Sequence, residues 1–278
     1  MPELPEVETV VRDLRPHVLG CILGRVTVSR QALRRPWSAA WSRLLTGRKV
    51  REVTRRGKWI LLGLEGGLVL VIHLGMTGQL KVMPADAPRE NHTHAIFPLG
   101  DGQTQLRFRD IRRFGSLTLF PDEQALQRFF EKSGLGPEPF ELELRGFRER
   151  LRTTQRSLKA VLLDQRIVAG VGNIYADESL FEARLHPAHL GRDTSAAEAR
   201  RLQAAIVSVL TRAIDRRGSS IRDYVGGSSL KGQYQDEFRV YGRTGEPCPR
   251  CRRPIERLRL AGRSTHYCPR CQKGTKVS

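Results

Sequence analysis

Lys58-Trp59-Ile60-Leu61-Leu62 and Leu68-Val69-Leu70-Val71-Ile72-His73-Leu74 flank the pair Gly66-Gly67. Two apolar runs of strand length around a Gly-Gly turn read as a β-hairpin. The pattern continues downstream. Gln105-Leu106-Arg107-Phe108-Arg109 alternates polar with apolar, and so does Ser116-Leu117-Thr118-Leu119-Phe120. A period of two marks strands with one buried face. Upstream the period changes: within Glu6 to Leu19, residues Val7, Val10, Val11, Leu14 and Val18 stand at helical spacing. Residues 2–135 are therefore expected to form a β-sandwich carrying one N-terminal helix.

Ser133-Gly134-Leu135-Gly136-Pro137-Glu138-Pro139 packs Gly and Pro together without periodicity, and residues 136–145 read as a linker. From about Gly146 the spacing turns helical. Leu158, Val161 and Leu162 share a face, and the turn Ala169-Gly170-Val171-Gly172-Asn173 separates them from a second helix, Ile174 to Leu185. The clearest helix runs from Ser195 to Arg217, where Ser195 and Glu198 have capping-box spacing and Gly218 suits the position after the end. Residues 146–238 form the expected helical domain, and 239–278 a small cysteine-bearing one. The fold class is α+β and multidomain.

The chain has 278 residues, with 48 Lys+Arg against 29 Asp+Glu, a formal charge of +19. A surplus this large calls for a polyanion, and nucleic acid fits best, because phosphates release counterions when Lys and Arg replace them. The longest strongly apolar stretch, Leu68 to Leu74, is far too short to span a bilayer. The N-terminus shows no secretory pattern. The expectation is a soluble, monomeric protein of the bacterial cytoplasm, working in the nucleoid without a membrane.

Cys248, Cys251, Cys268 and Cys271 form C-x2-C-x16-C-x2-C. Two such knuckles complete a tetrahedral thiolate set, so one structural Zn2+ is expected. The 16 residues between the pairs suit a two-stranded ribbon turning at Ala261-Gly262, with Arg263 at its tip. The Gly170–Asn173 turn opens a helix and can serve as an anion site or as an ordinary turn.

At the N-terminus, removal of Met1 would expose Pro2 as a secondary amine with an α-amino pKa of about 7.7–8. Such an amine can attack an aldehyde-level sugar carbon, and Glu3 can deliver a proton to the ring oxygen. The alternative is that Pro2 and Glu3 merely begin a capped helix, with Pro5 in its first turn.

Five separated motifs bring a resemblance. They are Pro2-Glu3-Leu4-Pro5-Glu6-Val7-Glu8-Thr9-Val10, Ile72-His73-Leu74-Gly75-Met76-Thr77-Gly78, Asp110-Ile111-Arg112-Arg113-Phe114-Gly115, Val171-Gly172-Asn173-Ile174-Tyr175-Ala176, and Val240-Tyr241-Gly242-Arg243 with the two Cys-Pro-Arg-Cys knuckles. Together and in this order they resemble the formamidopyrimidine-DNA glycosylases. The resemblance implies a β-sandwich, a helix–two-turns–helix module and a zinc ribbon. It implies base-excision repair of duplex DNA that contains oxidised purines (8-oxoguanine, formamidopyrimidines) or abasic sites. The chemistry would run through a Schiff base on Pro2 and then β,δ-elimination.

It also implies roles. Pro2 is the nucleophile, Glu3 the acid, Lys58 a proton-transfer and phosphate group, and Arg263 the ribbon arginine on the phosphate. His73, His92, Arg112, Lys159 and Asn173 contact DNA. Met76, Arg112 and Phe114 fill the duplex once the damaged base leaves, offsetting a few kcal/mol of lost stacking. The segment Val225 to Gln235 matches a loop over the flipped base. Gln155 departs from the family, which often has a lysine there. Two other readings stay open: the endonuclease VIII-like branch acting on oxidised pyrimidines, and a zinc-ribbon DNA binder without catalysis.

Overall fold

The computed structural model describes residues 2–31, 33–219 and 232–274. It divides into two compact units, residues 1–132 with 216–233, and residues 133–215 with 234–278. Most of the loop expected at 225–235 falls outside the described residues.

The first unit begins with α1 (Leu4–Val18) and continues through β1 (Thr27–Val28), α2 (Ala39–Leu45), β2 (Val50–Arg56), β3 (Trp59–Leu64), β4 (Val69–His73), β5 (Gly78–Pro84), β6 (Thr93–Leu99), β7 (Thr104–Asp110), β8 (Ser116–Phe120) and α3 (Glu123–Ser133). Two four-stranded antiparallel sheets result, in the orders β1-β6-β7-β5 and β2-β3-β4-β8. The hairpin expected from Gly66-Gly67 is β3–β4, with Leu62 opposite Leu70. Ile60, Leu62, Leu70, Ile72 and Leu117 from one sheet share a core with Leu80, Phe97, Leu106 and Phe108 from the other. The stripe Val7, Val10, Val11, Leu14 and Val18 of α1 joins the same core.

Two helices in this unit went unread in the sequence, α2 and α3. The start of α3 is marked by Asp122, whose carboxylate accepts from the Ala125 N–H at 2.6 Å. Leu126 and Phe130 turn inward, and Phe129 and Phe130 meet Trp59 of β3 with ring centres 5.7 and 6.4 Å apart. That apolar face belongs to a helix lying on a sheet rather than to a strand.

The second unit contains α4 (Leu144–Arg152), α5 (Leu158–Leu163), α6 (Asn173–Glu182), α7 (Ala196–Asp215), β9 (Glu256–Leu260) and β10 (Arg263–Tyr267). The segment read as a linker is ordered here. It holds a single 3-10 turn at Pro139–Glu141, and Gly136 and Pro137 bond to the backbone of Gln165 and Ala169. Ser195 and Glu198 cap α7 reciprocally, at 2.9 Å and 3.3 Å. β9 and β10 pair antiparallel, with Leu260 opposite Arg263. Ala261 (φ 48°) and Gly262 (φ 72°) form the tight turn between them, with both residues left-handed as a two-residue hairpin requires. Among the described residues no helix is long and apolar enough to cross a membrane.

Candidate active site and zinc ribbon

Pro2 is buried, and Glu3 is the N-cap of α1. The Glu3 N–H donates to the Glu6 carboxylate at 2.8 Å, and the two residues form a capping box. The other oxygen of Glu6 accepts from the Ser219 N–H and hydroxyl at 2.8 and 3.0 Å. The capped-helix reading of Pro2-Glu3 therefore holds locally. A helix N-terminus with its macrodipole also favours carboxylates at this point.

Lys58 sits in the two-residue turn between Arg56 and Trp59, after Gly57 with φ 55°. It is only 7% exposed, so it is not an ordinary solvated charge. His73 ends β4 with its ring centre 4.5 Å from that of Trp59. The Gly75 N–H donates to His73 Nδ1 at 3.1 Å. Burial pushes the imidazole pKa down to about 4, and the cations Lys58, Arg34 and Arg35 push the same way. The ring is thus neutral at pH 7, and with Nδ1 accepting, its proton lies on Nε2, free to donate.

Met76, Arg112 and Phe114 stand on two loops pressed backbone to backbone. A Cβ on Gly75 would lie 2.5 Å from the Phe114 carbonyl carbon across the two loops, and one on Gly78 would strike the Leu74 carbonyl within the first. Only glycine permits such an approach. Asp110, fully buried, holds the second loop. Its carboxylate accepts from the Thr77 hydroxyl at 2.5 Å, the Gly115 N–H at 2.7 Å and the Arg112 N–H at 3.3 Å. Phe114 is 45% exposed, and the Arg112 guanidinium lies 4.7 Å from its ring centre. An exposed aromatic stacked by an exposed cation is not a core residue. His92 is exposed with φ 66°, and its carbonyl accepts from the Asp110 N–H at 3.0 Å.

In the second unit Asn173 begins α6 and donates to the Ser264 carbonyl at 3.1 Å, next to Arg263, which is exposed at the ribbon tip. The structure thus joins the Gly turn to the ribbon tip. Lys159 departs from its expected role. It is fully buried, and its ammonium donates to Asp177 at 2.6 Å and to the Asn173 carbonyl at 2.8 Å. With no surface, it cannot reach a phosphate; it holds the Asn173 turn instead. Sequence reasoning missed Asp177, whose second oxygen accepts from the His266 N–H and meets the His266 ring at 2.9 and 3.0 Å. It also missed Glu178, which accepts from the N–H groups of Arg239, Val240 and Tyr241. The sequence signal was two adjacent acids among the apolar Ile174, Tyr175, Leu180 and Phe181 of one helix.

The four cysteine sulfurs lie within 4.8 Å of one another, with Cys248–Cys271 at 3.9 Å and Cys251–Cys268 at 3.4 Å. Thiolates bound tetrahedrally at about 2.3 Å from zinc stand roughly 3.8 Å apart. The donor set fits one zinc ion of purely structural type, and His266 is outside it.

The class these features define is a nucleic-acid enzyme built from a helix-bearing β-sandwich, a helical turn module and a zinc ribbon. Family models match along nearly the whole chain. The formamidopyrimidine-DNA glycosylase N-terminal domain covers residues 1–117, the H2TH domain of the same family residues 135–225, and the zinc finger found in FPG and IleRS residues 245–274. A formamidopyrimidine-DNA glycosylase of Desulforamulus reducens is 45% identical over 264 residues, 94% of this chain and 95% of that one. One of Moorella thermoacetica is 46% identical over 262 residues, 93% and 95% of the two chains. Among solved structures, the Lactococcus lactis Fpg complexed with abasic-site DNA superposes with a TM-score of 0.91 at 35% identity, covering 98% of this chain and 100% of that one. The Thermus thermophilus Fpg gives 0.87 at 46% identity, covering 99% and 100%. The chain belongs to the formamidopyrimidine-DNA glycosylase family.

Three outcomes are expected. Lys159→Met removes the ammonium from one oxygen of the buried Asp177 carboxylate and costs roughly 3–5 kcal/mol in urea unfolding. The salt slope of DNA binding by the folded fraction stays at the wild-type value, whereas a lost phosphate contact would lower it by about 0.9. His73 takes up its proton only near pH 4 when folded but near 6.5 when unfolded. Stability therefore falls as pH drops from about 6.5 towards 4, and His73→Asn flattens that limb of a pH–denaturation profile. Cys268→Ser lowers bound zinc well below one ion per chain by atomic emission and loosens residues 245–274 in hydrogen exchange.

Proposed function

We propose that this chain excises oxidised purines, 8-oxoguanine and formamidopyrimidines, from duplex DNA and then cleaves the abasic strand. The observation that carries the reading is the start of α1, where Pro2 is buried beside the N-cap carboxylate of Glu3. Their unit also holds Lys58, His73 and the loops of Met76, Arg112 and Phe114. The Lactococcus lactis relatives crystallised on abasic-site and Fapy-dG DNA support the substrate class.

With Met1 removed, the Pro2 nitrogen attacks the sugar C1′. The N–C1′ bond forms as the bond to the base breaks, and the base leaves with a proton. Glu3 protonates the ring oxygen, which opens the sugar to an iminium. Loss of a C2′ proton, with Lys58 as the transfer group, breaks the 3′ C–O bond; a second elimination breaks the 5′ one. Each phosphate departs as a monoester, and Arg263 stabilises its charge. Neutral His73, exposed His92, Arg112 and Asn173 hold the backbone. Met76, Arg112 and Phe114 occupy the space of the extruded base, with Arg112 donating to the orphaned cytosine. The protein works as a monomer in the bacterial cytoplasm.

Borohydride trapping on a duplex with one 8-oxoguanine opposite cytosine tests this. A covalent adduct on Pro2, with Met1 absent by peptide mass, is expected. Pro2→Gly retains a weaker amine, and Glu3→Gln drops single-turnover excision by about 10²-fold or more. Trapping on thymine-glycol duplex alone would favour the pyrimidine branch, and tight binding without any adduct would favour a non-catalytic binder.

A further inference from the structure

The segment from Ser29 to Trp37 joins β1 to α2 and carries three arginines, Arg30, Arg34 and Arg35. It is tied to the loop of Arg112 and Phe114 at two points. The Ser29 N–H donates to the His94 carbonyl at 2.9 Å, and the Ser29 hydroxyl meets His94 Nδ1 at 3.0 Å. The Nε2 of His94 bonds the Asp110 carbonyl at 2.9 Å, at the root of that loop. Further along, the Arg34 N–H donates to the Gly115 carbonyl at 3.3 Å, at the loop's end.

The two neighbouring arginines then divide. The Arg35 guanidinium lies 4.7 Å over the Phe129 ring, which meets Trp59, which in turn meets His73. Arg35 is therefore an anchor, its charge resting on an aromatic face. Arg34 is exposed, and its side chain makes no hydrogen bond or ion pair among the described residues. Both stand close enough to His73 to act on its protonation, together with Lys58. Three cations gathered around a neutral imidazole raise the energy of the free protein unless an anion offsets them.

We propose that Arg34 is a further phosphate-contacting residue of the duplex interface, carried there by its backbone bond to Gly115. This rests on the function proposed above. The Arg34 charge acts on the His73 imidazole together with those of Lys58 and Arg35. Because the Arg34 backbone is fixed to the end of the Phe114 loop, the contact also sets where that loop meets the strand. The phosphate contact is independent of base identity.

The test is the salt dependence of binding to a duplex carrying a tetrahydrofuran abasic analogue, read by anisotropy between 50 and 400 mM KCl. Arg34→Ala and Arg34→Gln are expected to lower the slope of log K against log salt by about 0.9, weakening binding roughly eightfold at 0.1 M salt. Arg34→Lys restores the slope, because a point charge suffices for one phosphate. Arg43→Ala, which removes an exposed arginine of α2, leaves slope and affinity unchanged. Wild-type slopes in both Arg34→Ala and Arg34→Gln would overturn the proposal while leaving the glycosylase reading intact. A wild-type protein that binds no such duplex would overturn that reading itself, and this contact with it.

Discussion

A carboxylate sealed from water has to be met entirely from inside, and the helical unit is assembled around one. Asp177 offers one oxygen to the Lys159 ammonium and the other to the backbone and ring of His266. Lys159 comes from α5, Asp177 from α6 and His266 from β10, so a single side chain fixes three elements remote in sequence. Burying such an ion pair costs desolvation on both sides, and it is tolerable only when every remaining lone pair and proton is used. The next residue repeats the device. Burial raises the Glu178 pKa, and three N–H groups from residues 239–241 pull it back towards the ionised form. One turn of α6 thus holds both the ribbon and the segment leading into it. The same turn of structure sets Asn173 against Ser264, beside Arg263.

The sandwich unit uses the same logic at Asp110. Its oxygens collect Thr77, Arg112 and Gly115, which belong to the two loops that carry Met76, Arg112 and Phe114. Those loops touch at Gly75, where any side chain would strike the backbone of Phe114 and Gly115. An aromatic held out in water costs solvation, and a loop presenting one needs rigidity from elsewhere. Buried carboxylate bonds and glycine contacts supply it. The exposed tips are thus ordered before any contact is made.

Much of this was legible from local pattern. The Gly66-Gly67 hairpin, the α1 stripe, the Ser195–Glu198 cap and the turn at Ala261-Gly262 are all short-range signals, and each stands where spacing put it. Lys159 shows where local pattern stops. Its partner lies 18 residues away on another helix, and nothing near it in sequence separates a buried ammonium from a solvated one. Asp177 was overlooked for the same reason, its partners lying on α5 and β10, and Asp110 because its Thr77 partner is 33 residues back and a lone acid has no periodicity. Helix α3 was missed because Phe129 and Phe130 suit strand and helix alike, and packing against Trp59 decides between them.

Net charge is a poor guide to where DNA lies on such a protein, because the fold consumes many of its cations. Arg107 is almost buried and donates to the carbonyls of Pro84, Ala85, Ala87 and Pro88, pinning the turn after β5. Arg250 bonds the Phe181 carbonyl and Glu182, and Lys159 is enclosed. None of these can release a counterion from a phosphate. Arg34, Arg112 and Arg263, by contrast, are exposed and lack a carboxylate partner among the described residues. Arg34 and Arg112 are held through their backbone N–H groups, and the Arg112 guanidinium rests on the Phe114 ring. His73 stays neutral beside Lys58, Arg34 and Arg35, where another positive charge would only add repulsion.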